Sequence, residues 1–154
     1  MGLVSVSSHN IITASMKTVV HTVSPAQREQ IYQRLRDELE RVPGVRFTYL
    51  YGSLLESDRI HDVDVGLFLD ETTAAHNTSL LDHLSMTLRA AVNVPVDVRI
   101  LNDAPLSFLY HALRGRLLSC RDEAFLTDLM EDVARRYLDL APILRISTKD
   151  AFAA

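Results

Sequence analysis

The sequence predicts a single domain, residues 1–154, of the α/β or α+β class, in which a small mixed β-sheet is flanked by helices. Segments of strand character alternate along the chain with amphipathic segments, and elements ordered in this way pack as layers around one core. Hydrophobic residues make up 47% of the chain, so a core of useful size can be buried. The predicted strands cover residues 46–51, 62–69, 96–101 and 116–120.

The first predicted helix has the clearest boundaries. Ser24 can cap it, Pro25 suits its first position and Gln27 can close a capping box. Pro43 and Gly44 should follow its end. The sequence predicts further helices from about 77 to 92, from about 106 to 114 and from about 122 to 140, with 70–73 expected to be a break.

The two ends of the chain carry weaker patterns. Residues 1–23 mix Ser, Thr and β-branched residues, and either an extended arm or a strand is consistent with them. Residues 146–154 are expected to form a frayed tail after Pro142. The N-terminal residues lack the basic region and the sustained apolar run of a signal peptide, and no segment resembles a membrane span. A cytoplasmic protein without a membrane partner is therefore expected.

Charge and cysteine content restrict the function further. The formal net charge is −4 and no basic stripe is present, so no direct nucleic-acid partner is expected. Cys120 is the single cysteine, which excludes an intrachain disulfide and suggests a small core side chain.

Two closely spaced acids carry most of the functional information. Side chains alternate between the faces of a strand, so Asp62 and Asp64 share one face while Val63 and Val65 share the other. The Cα atoms of the two acids then lie roughly 6–7 Å apart. Neighbouring carboxylates resist ionisation unless a cation offsets their charge, and hard oxygen ligands suit Mg²⁺.

A Gly-Ser turn lies just before these acids. Gly52 has no side chain, so a phosphate can approach the backbone closely, and Ser53 offers a hydroxyl and an N–H group. A phosphate-binding turn next to a metal-binding acid pair is typical of a nucleoside triphosphate site.

Gly52-Ser53 followed by Asp62-Val63-Asp64 resembles the signature of the DNA polymerase beta-like nucleotidyltransferase superfamily. That family has a third metal-binding acid on a later strand, and Asp97 is the candidate here. The order of elements over about 25–145 is similar to that of minimal nucleotidyltransferase (MNT) domains. Three segments look like the MntA-type antitoxins of HEPN/MNT toxin–antitoxin systems: 103–106, 116–122 and 136–144.

The resemblance implies a polymerase beta palm-like fold and a specific reaction. Such an enzyme transfers AMP from ATP to a tyrosine of a HEPN-domain ribonuclease toxin, forms a complex with that toxin and silences it. By the same resemblance, Asp62, Asp64 and Asp97 are the catalytic, metal-binding residues for two Mg²⁺ ions. Gly52 and Ser53 are expected to hold the β- and γ-phosphates.

The chain departs from the family pattern in the turn. Eight residues, 54–61, separate Ser53 from the first acid, which is shorter than the common spacing. Leu54-Leu55-Glu56 replaces the usual Ala-Arg-Gly, and His61 stands where serine is common. These differences leave open which nucleotide is used and how tightly it binds.

Several alternatives remain at this stage. The enzyme could be an aminoglycoside-type nucleotidyltransferase acting on a small molecule, or the chain could be a non-catalytic antitoxin that only covers the toxin. Asp97 could instead be a solvent-facing residue whose charge Arg99 balances. Some other side chains could contact phosphate or metal but are more simply surface residues: His61, Arg59 and Arg114. The tyrosines are interpreted as packing residues: Tyr49, Tyr51, Tyr110 and Tyr137.

Overall fold

The structure, a computed structural model, describes residues 19–152, which form a sheet with helices on both faces. The strands are β1 (His21–Thr22), β2 (Val45–Tyr51), β3 (Arg59–Ile60), β4 (Val63–Leu69), β5 (Val96–Ile100) and β6 (Arg116–Cys120). The helices are α1 (Pro25–Glu40), α2 (Ser53–Glu56), α3 (Glu71–Ala75), α4 (Leu80–Val92), α5 (Leu106–Leu113) and α6 (Glu123–Phe152).

The main sheet has four strands in the order β5-β4-β2-β6. β4 and β5 are parallel, whereas β2 runs antiparallel to both of its neighbours, β4 and β6. The parallel pair is joined by a crossover through α3 and α4, as parallel strands require. The predicted class, a small mixed sheet flanked by helices, is confirmed.

The two faces of the sheet pack against different helices. α1 and α4 cover one face, where Val63 and Val65 are completely buried. α5 and α6 cover the other, where Phe47 and Tyr49 of β2 pack with Leu113. Because strand residues alternate, the burial of Val63 and Val65 directs Asp64 toward the face that α5 and α6 cover. The predicted burial of Val63 and Val65 is confirmed.

Local sequence signals account for the start of α1. Ser24 accepts a hydrogen bond from the Gln27 N–H, and the Gln27 side chain accepts one from the Ser24 N–H, which completes the predicted capping box. Ile31, Leu35 and Leu39 then bury one side of the helix against the sheet.

Two predictions about helices were wrong. Residues 70–73 do not form a break, because the Asp70 side chain accepts a hydrogen bond from the Thr73 N–H and caps the short helix α3. α6 does not end near Leu140 but continues past Pro142 to Phe152. Proline lacks only its own N–H, so a helix can continue beyond it at a cost in stability. Of the predicted tail, residues 153 and 154 lie outside the described range.

The N-terminal arm is described only in part. Residues 1–18 lie outside the described range, while His21 and Thr22 pair with Ile60 and Arg59 in a two-stranded ribbon, so this short piece is a strand. Within residues 19–152, no helix combines the length and apolar character that a membrane span requires.

Candidate active site

Three side chains from three neighbouring strands lie in one row across the sheet. Tyr51, the last residue of β2, is the register partner of Asp64 on β4. Asp64 is in turn the partner of Asp97 on β5. Side chains of register partners project from the same face of a sheet. The pairing therefore brings two of the sequence-predicted acids together on the α5 face.

Asp62 joins this group from just outside the strand. It immediately precedes β4, which begins at Val63 rather than at the predicted residue 62. Burial and, after it, the negative charges of Asp62 and Asp97 together raise the pKa of the Asp64 carboxyl to about 6, although the positive charge of Arg99 opposes the rise. The charges of the other two predicted acids therefore act on Asp64, and the three form one electrostatic cluster.

The Gly-Ser turn lies directly against the Asp64 side chain of this cluster. Gly52 has φ 82° and ψ −155°, a conformation that L side chains rarely adopt. A Cβ atom at this position would overlap the Oδ2 atom of Asp64. Ser53 begins α2, which is anchored by the fully buried Leu54. Glycine is therefore required both by the backbone conformation and by the close approach of the carboxylate.

Arg99 contacts the third acid. Its Nε donates to Oδ2 of Asp97 at 3.1 Å, and its guanidinium carbon lies 5.6 Å from the ring centre of Phe108. This ion pair raises the pKa of Arg99 above its ordinary value. Arg99 therefore balances the charge of Asp97, as one interpretation of the sequence expected. The Arg99 side chain also engages one oxygen of the Asp97 carboxylate.

Tyr51 has a feature that the sequence did not predict. Its ring packs edge-on against Phe108 at 5.4 Å, as expected of a packing residue. Its hydroxyl, however, is buried and has no hydrogen-bond partner among the described residues. Burial, followed by the charges of Asp64, Asp97 and Asp62, raises the Tyr51 pKa to about 12, so the hydroxyl remains a proton donor. The sequence signal that could have marked Tyr51 as a candidate site residue is its position directly before Gly52.

A cavity of about 430 Å³ opens beside the turn. Tyr51, Gly52 and Phe108 line one part of it, and His111 and Arg114 of the α5 region line another. Of the basic residues considered as phosphate contacts, Arg114 therefore borders the site.

Two other candidates lie away from this cavity. Arg59 is exposed on β3, and His61 is exposed with its Nδ1 atom 3.4 Å from the carbonyl oxygen of Val19. Neither residue lines the cavity beside Gly52.

The arrangement can be tested against the Mg²⁺ ions that the family implies. Among the described residues, no three Asp, Glu, His or Cys side chains already converge as a metal-binding group. The donor set nevertheless fits. Asp62, Asp64 and Asp97 offer hard oxygen atoms, and the repulsion between their charges favours a cation. The Asp64 carboxylate also lies directly against the Gly52 backbone.

Comparison with solved structures shows relatives of this fold. A chain from an MntA–HepT toxin–antitoxin mutant matches with a TM-score of 0.61 and 18% identity, covering 81% of this chain and 98% of that one. A chain from a complex of tri-AMPylated Shewanella oneidensis HEPN toxin with MNT antitoxin gives 0.52 and 19%, covering 80% and 97%. A chain from a toxin–antitoxin with AMP-PNP gives 0.54 and 20%, covering 79% and 98%.

The sequence itself was compared with protein families and with curated proteins. No curated protein matches the chain. The family model of polymerase beta nucleotidyltransferases matches residues 33–124, which include β2, β4, β5 and all five predicted site residues. Because this match spans more than half of the 154 residues, the protein belongs to the polymerase beta nucleotidyltransferase family.

Proposed function

We propose that this protein transfers AMP from ATP to a tyrosine of a HEPN-domain ribonuclease toxin and thereby neutralises it. The observation that carries the proposal is the row of Tyr51, Asp64 and Asp97 beside the Gly52 turn in a chain of this family. The similarity to a complex of tri-AMPylated HEPN toxin with MNT antitoxin, and to a toxin–antitoxin with AMP-PNP, supports this substrate pair.

In the proposed reaction, the hydroxyl oxygen of the toxin's tyrosine forms a bond to the α-phosphorus of ATP. The bond between that phosphorus and the oxygen that bridges it to the β-phosphorus breaks. Pyrophosphate leaves, and the tyrosine proton passes to a carboxylate of the site, which we assign to Asp97. Asp62, Asp64 and Asp97 would hold Mg²⁺. When bound, it would supply charge neutralisation of the triphosphate and activation of the attacking hydroxyl.

The remaining residues position the substrates. Gly52 and Ser53 would bind the β- and γ-phosphates through their backbone N–H groups and the Ser53 hydroxyl. The buried Tyr51 hydroxyl has a proton to donate and no partner among the described residues, so it would donate to a phosphate oxygen. Arg114 and Phe108, across the cavity, would contact the rest of the nucleotide. Catalysis of this kind depends mainly on positioning and charge stabilisation.

The test is the intact mass of the toxin. The adjacent reading frame, if it encodes a HEPN protein, is co-expressed with wild-type protein, with the Asp64→Ala variant, or with Asp128→Asn. Asp128 is an exposed acid on α6 and provides the control. We expect additions of about 329 Da per AMP unit with wild-type and control proteins, and none with Asp64→Ala. Modification that persists with Asp64→Ala would reject the assignment.

A second candidate, an antitoxin that acts by binding alone, is favoured by the Asp97–Arg99 ion pair, which engages the third acid. The same co-expression separates the two functions. A toxin of unmodified mass that is neutralised equally well by wild-type and Asp64→Ala proteins would establish the binding function and exclude AMP transfer as the means of neutralisation.

A further inference from the structure

A groove of about 600 Å³ runs between α5 and α6. Tyr110, His111 and Arg114 line it from the α5 side, and Tyr137 and Leu138 line it from α6. Its aromatic wall is preformed: the Tyr110 and Tyr137 rings stack at 3.9 Å, and the Tyr137 hydroxyl lies 3.5 Å from Nε2 of His111. Contacts between side chains of α5 and α6 therefore form one wall of the groove.

The groove is continuous with the candidate active site. His111 and Arg114 line both the groove and the cavity beside Gly52. A chain segment lying in the groove would thus lead toward the candidate active site, which the acceptor hydroxyl of the proposed reaction has to reach.

The second half of α6 exposes an unusual amount of apolar surface. Leu138, Ile143 and Ile146 are each at least 60% exposed, and all three lie within three turns of the helix. Clustered exposed aliphatic side chains are typical of surfaces that another protein covers. Leu138 lies in the groove itself, so the apolar surface and the groove adjoin.

Charge indicates what kind of partner fits. Arg114 and Arg145 both line the groove, and within the described residues neither forms an ion pair with a carboxylate. An acidic segment would complement them. A second copy of this chain fits poorly, because a two-fold interface through the groove would place these arginines against the same arginines.

We propose that the α5–α6 groove is the docking surface for the acceptor protein, which binds through an acidic, tyrosine-bearing segment packed on the apolar face of α6. This inference rests on the proposed function for the role of the tyrosine. The groove holds the partner and the cavity beside Gly52 performs the transfer. Leu138 and Arg145 line the groove and not the cavity, so substitutions there should change the affinity for the partner without changing the chemical step.

The experiment uses the full chain and the purified product of the adjacent reading frame as the acceptor. The groove variant combines Leu138→Glu and Arg145→Glu, both at surface positions of α6. The control is Met86→Glu, because Met86 is 74% exposed on α4, which packs on the opposite face of the sheet. Arg145→Glu alone is a second, milder groove variant. Binding of the acceptor, binding of ATP and transfer of labelled AMP are measured for each protein.

We expect the groove variant to weaken acceptor binding and to raise the KM for the acceptor by about tenfold or more. The ATP affinity and the kcat at saturating acceptor should remain at wild-type values, and Met86→Glu should match wild type throughout. For the wild-type protein, salt should raise the KM for the acceptor, and Arg145→Glu should reduce this dependence.

Unchanged acceptor binding by the groove variant would overturn the proposal, as would an equal loss with Met86→Glu. A wild-type dimer that the groove variant converts to a monomer with an unchanged KM would assign the groove to a second copy and also overturn it. If wild-type protein binds the acceptor but transfers no label, the proposed function fails, while the binding comparison still decides the role of the groove. Wild-type protein that does neither rejects both.

Discussion

Replacing Asp64 by asparagine should stabilise the folded protein while abolishing the proposed reaction. The Asp64 carboxylate is partly buried between two other acids and against the Gly52 backbone, and its pKa is raised from 3.8 to about 6. The native state therefore tolerates its negative charge poorly. Asparagine has nearly the same shape and no charge, so Asp64→Asn removes the repulsion without opening a cavity.

The size of the effect follows from the pKa. A rise of this extent corresponds to about 3 kcal/mol between the protonated and ionised forms, and partial exposure to solvent reduces it to about 1–2 kcal/mol. The native state binds the proton more tightly than the unfolded chain, so wild-type stability falls as pH rises from 3.8 to about 6 and the cost is complete above that. Below 3.8 both states are protonated and the cost disappears.

Thermal unfolding of wild-type protein, Asp64→Asn and the control Asp128→Asn, each measured without divalent cations at about pH 7.5 and about pH 4, tests this reasoning. At the higher pH we expect the Tm of Asp64→Asn to exceed the wild-type Tm by about 2–8 °C, and at the lower pH the difference should shrink. Added Mg²⁺ should raise the wild-type Tm and have little effect on Asp64→Asn. A variant no more stable than wild type at the higher pH would refute the argument.

Three further substitutions probe the site. Gly52→Ala should lower the free energy of unfolding in urea by about 1–3 kcal/mol and eliminate ATP binding, because the new methyl group meets Asp64 Oδ2; a variant that still binds ATP would contradict this. Arg99→Gln should free Asp97 and tighten Mn²⁺ binding about two- to fivefold, as measured by electron paramagnetic resonance; weaker binding would show that Arg99 supports the metal site instead. Tyr51→Phe should leave the free energy of unfolding unchanged or raise it by up to about 1 kcal/mol, while ATP affinity in calorimetry falls about tenfold; a clear loss of stability would mean that the hydroxyl has a structural partner.

The sequence located the strands of the main sheet because each buries apolar residues on one or both faces, a requirement that leaves a readable pattern. It could not show that β4 lies beside β5, since a parallel pairing joins segments far apart along the chain. The pairing of β4 with β5 decides whether Asp97 lies beside Asp64. In the sequence, only the family resemblance implied this pairing. The register now aligns the two residues.

Short elements escaped prediction for a related reason. The eight residues between Ser53 and Asp62 contain most of α2 and all of β3, and β3 exists because it pairs with His21 and Thr22. Two residues carry no periodicity, so their structure depends on a distant partner. The Tyr51 hydroxyl is similar, because alternation places the ring against α5 but says nothing about hydrogen-bond partners. Only the three-dimensional packing identifies Tyr51 as a candidate substrate contact.

Outside the site, the buried polar side chains of the described residues have hydrogen-bond partners, with one exception. The Asn102 side chain bonds both the N–H and the carbonyl oxygen of Leu69, and Asp122 accepts from Arg46 at 2.7 Å. Among the described residues the other buried side-chain atom without a partner is Nε of Arg28, whose guanidinium is bonded through another nitrogen.

Three unusual features occur together in the candidate active site. They are a backbone conformation that favours glycine, a partly buried carboxylate among like charges, and a buried hydroxyl without a hydrogen-bond partner among the described residues. They occur at Gly52, Asp64 and Tyr51, which are adjacent in the chain or across the sheet. The partly buried carboxylate and the unpaired hydroxyl each cost stability. A cation opposite Asp64 and a phosphate oxygen opposite Tyr51 would relieve the last two costs, and the glycine conformation would give the phosphate access. The bound nucleotide of the proposed function, with its metal ions, would therefore relieve both costs at one place, which is the physical reason for preferring that function to binding alone.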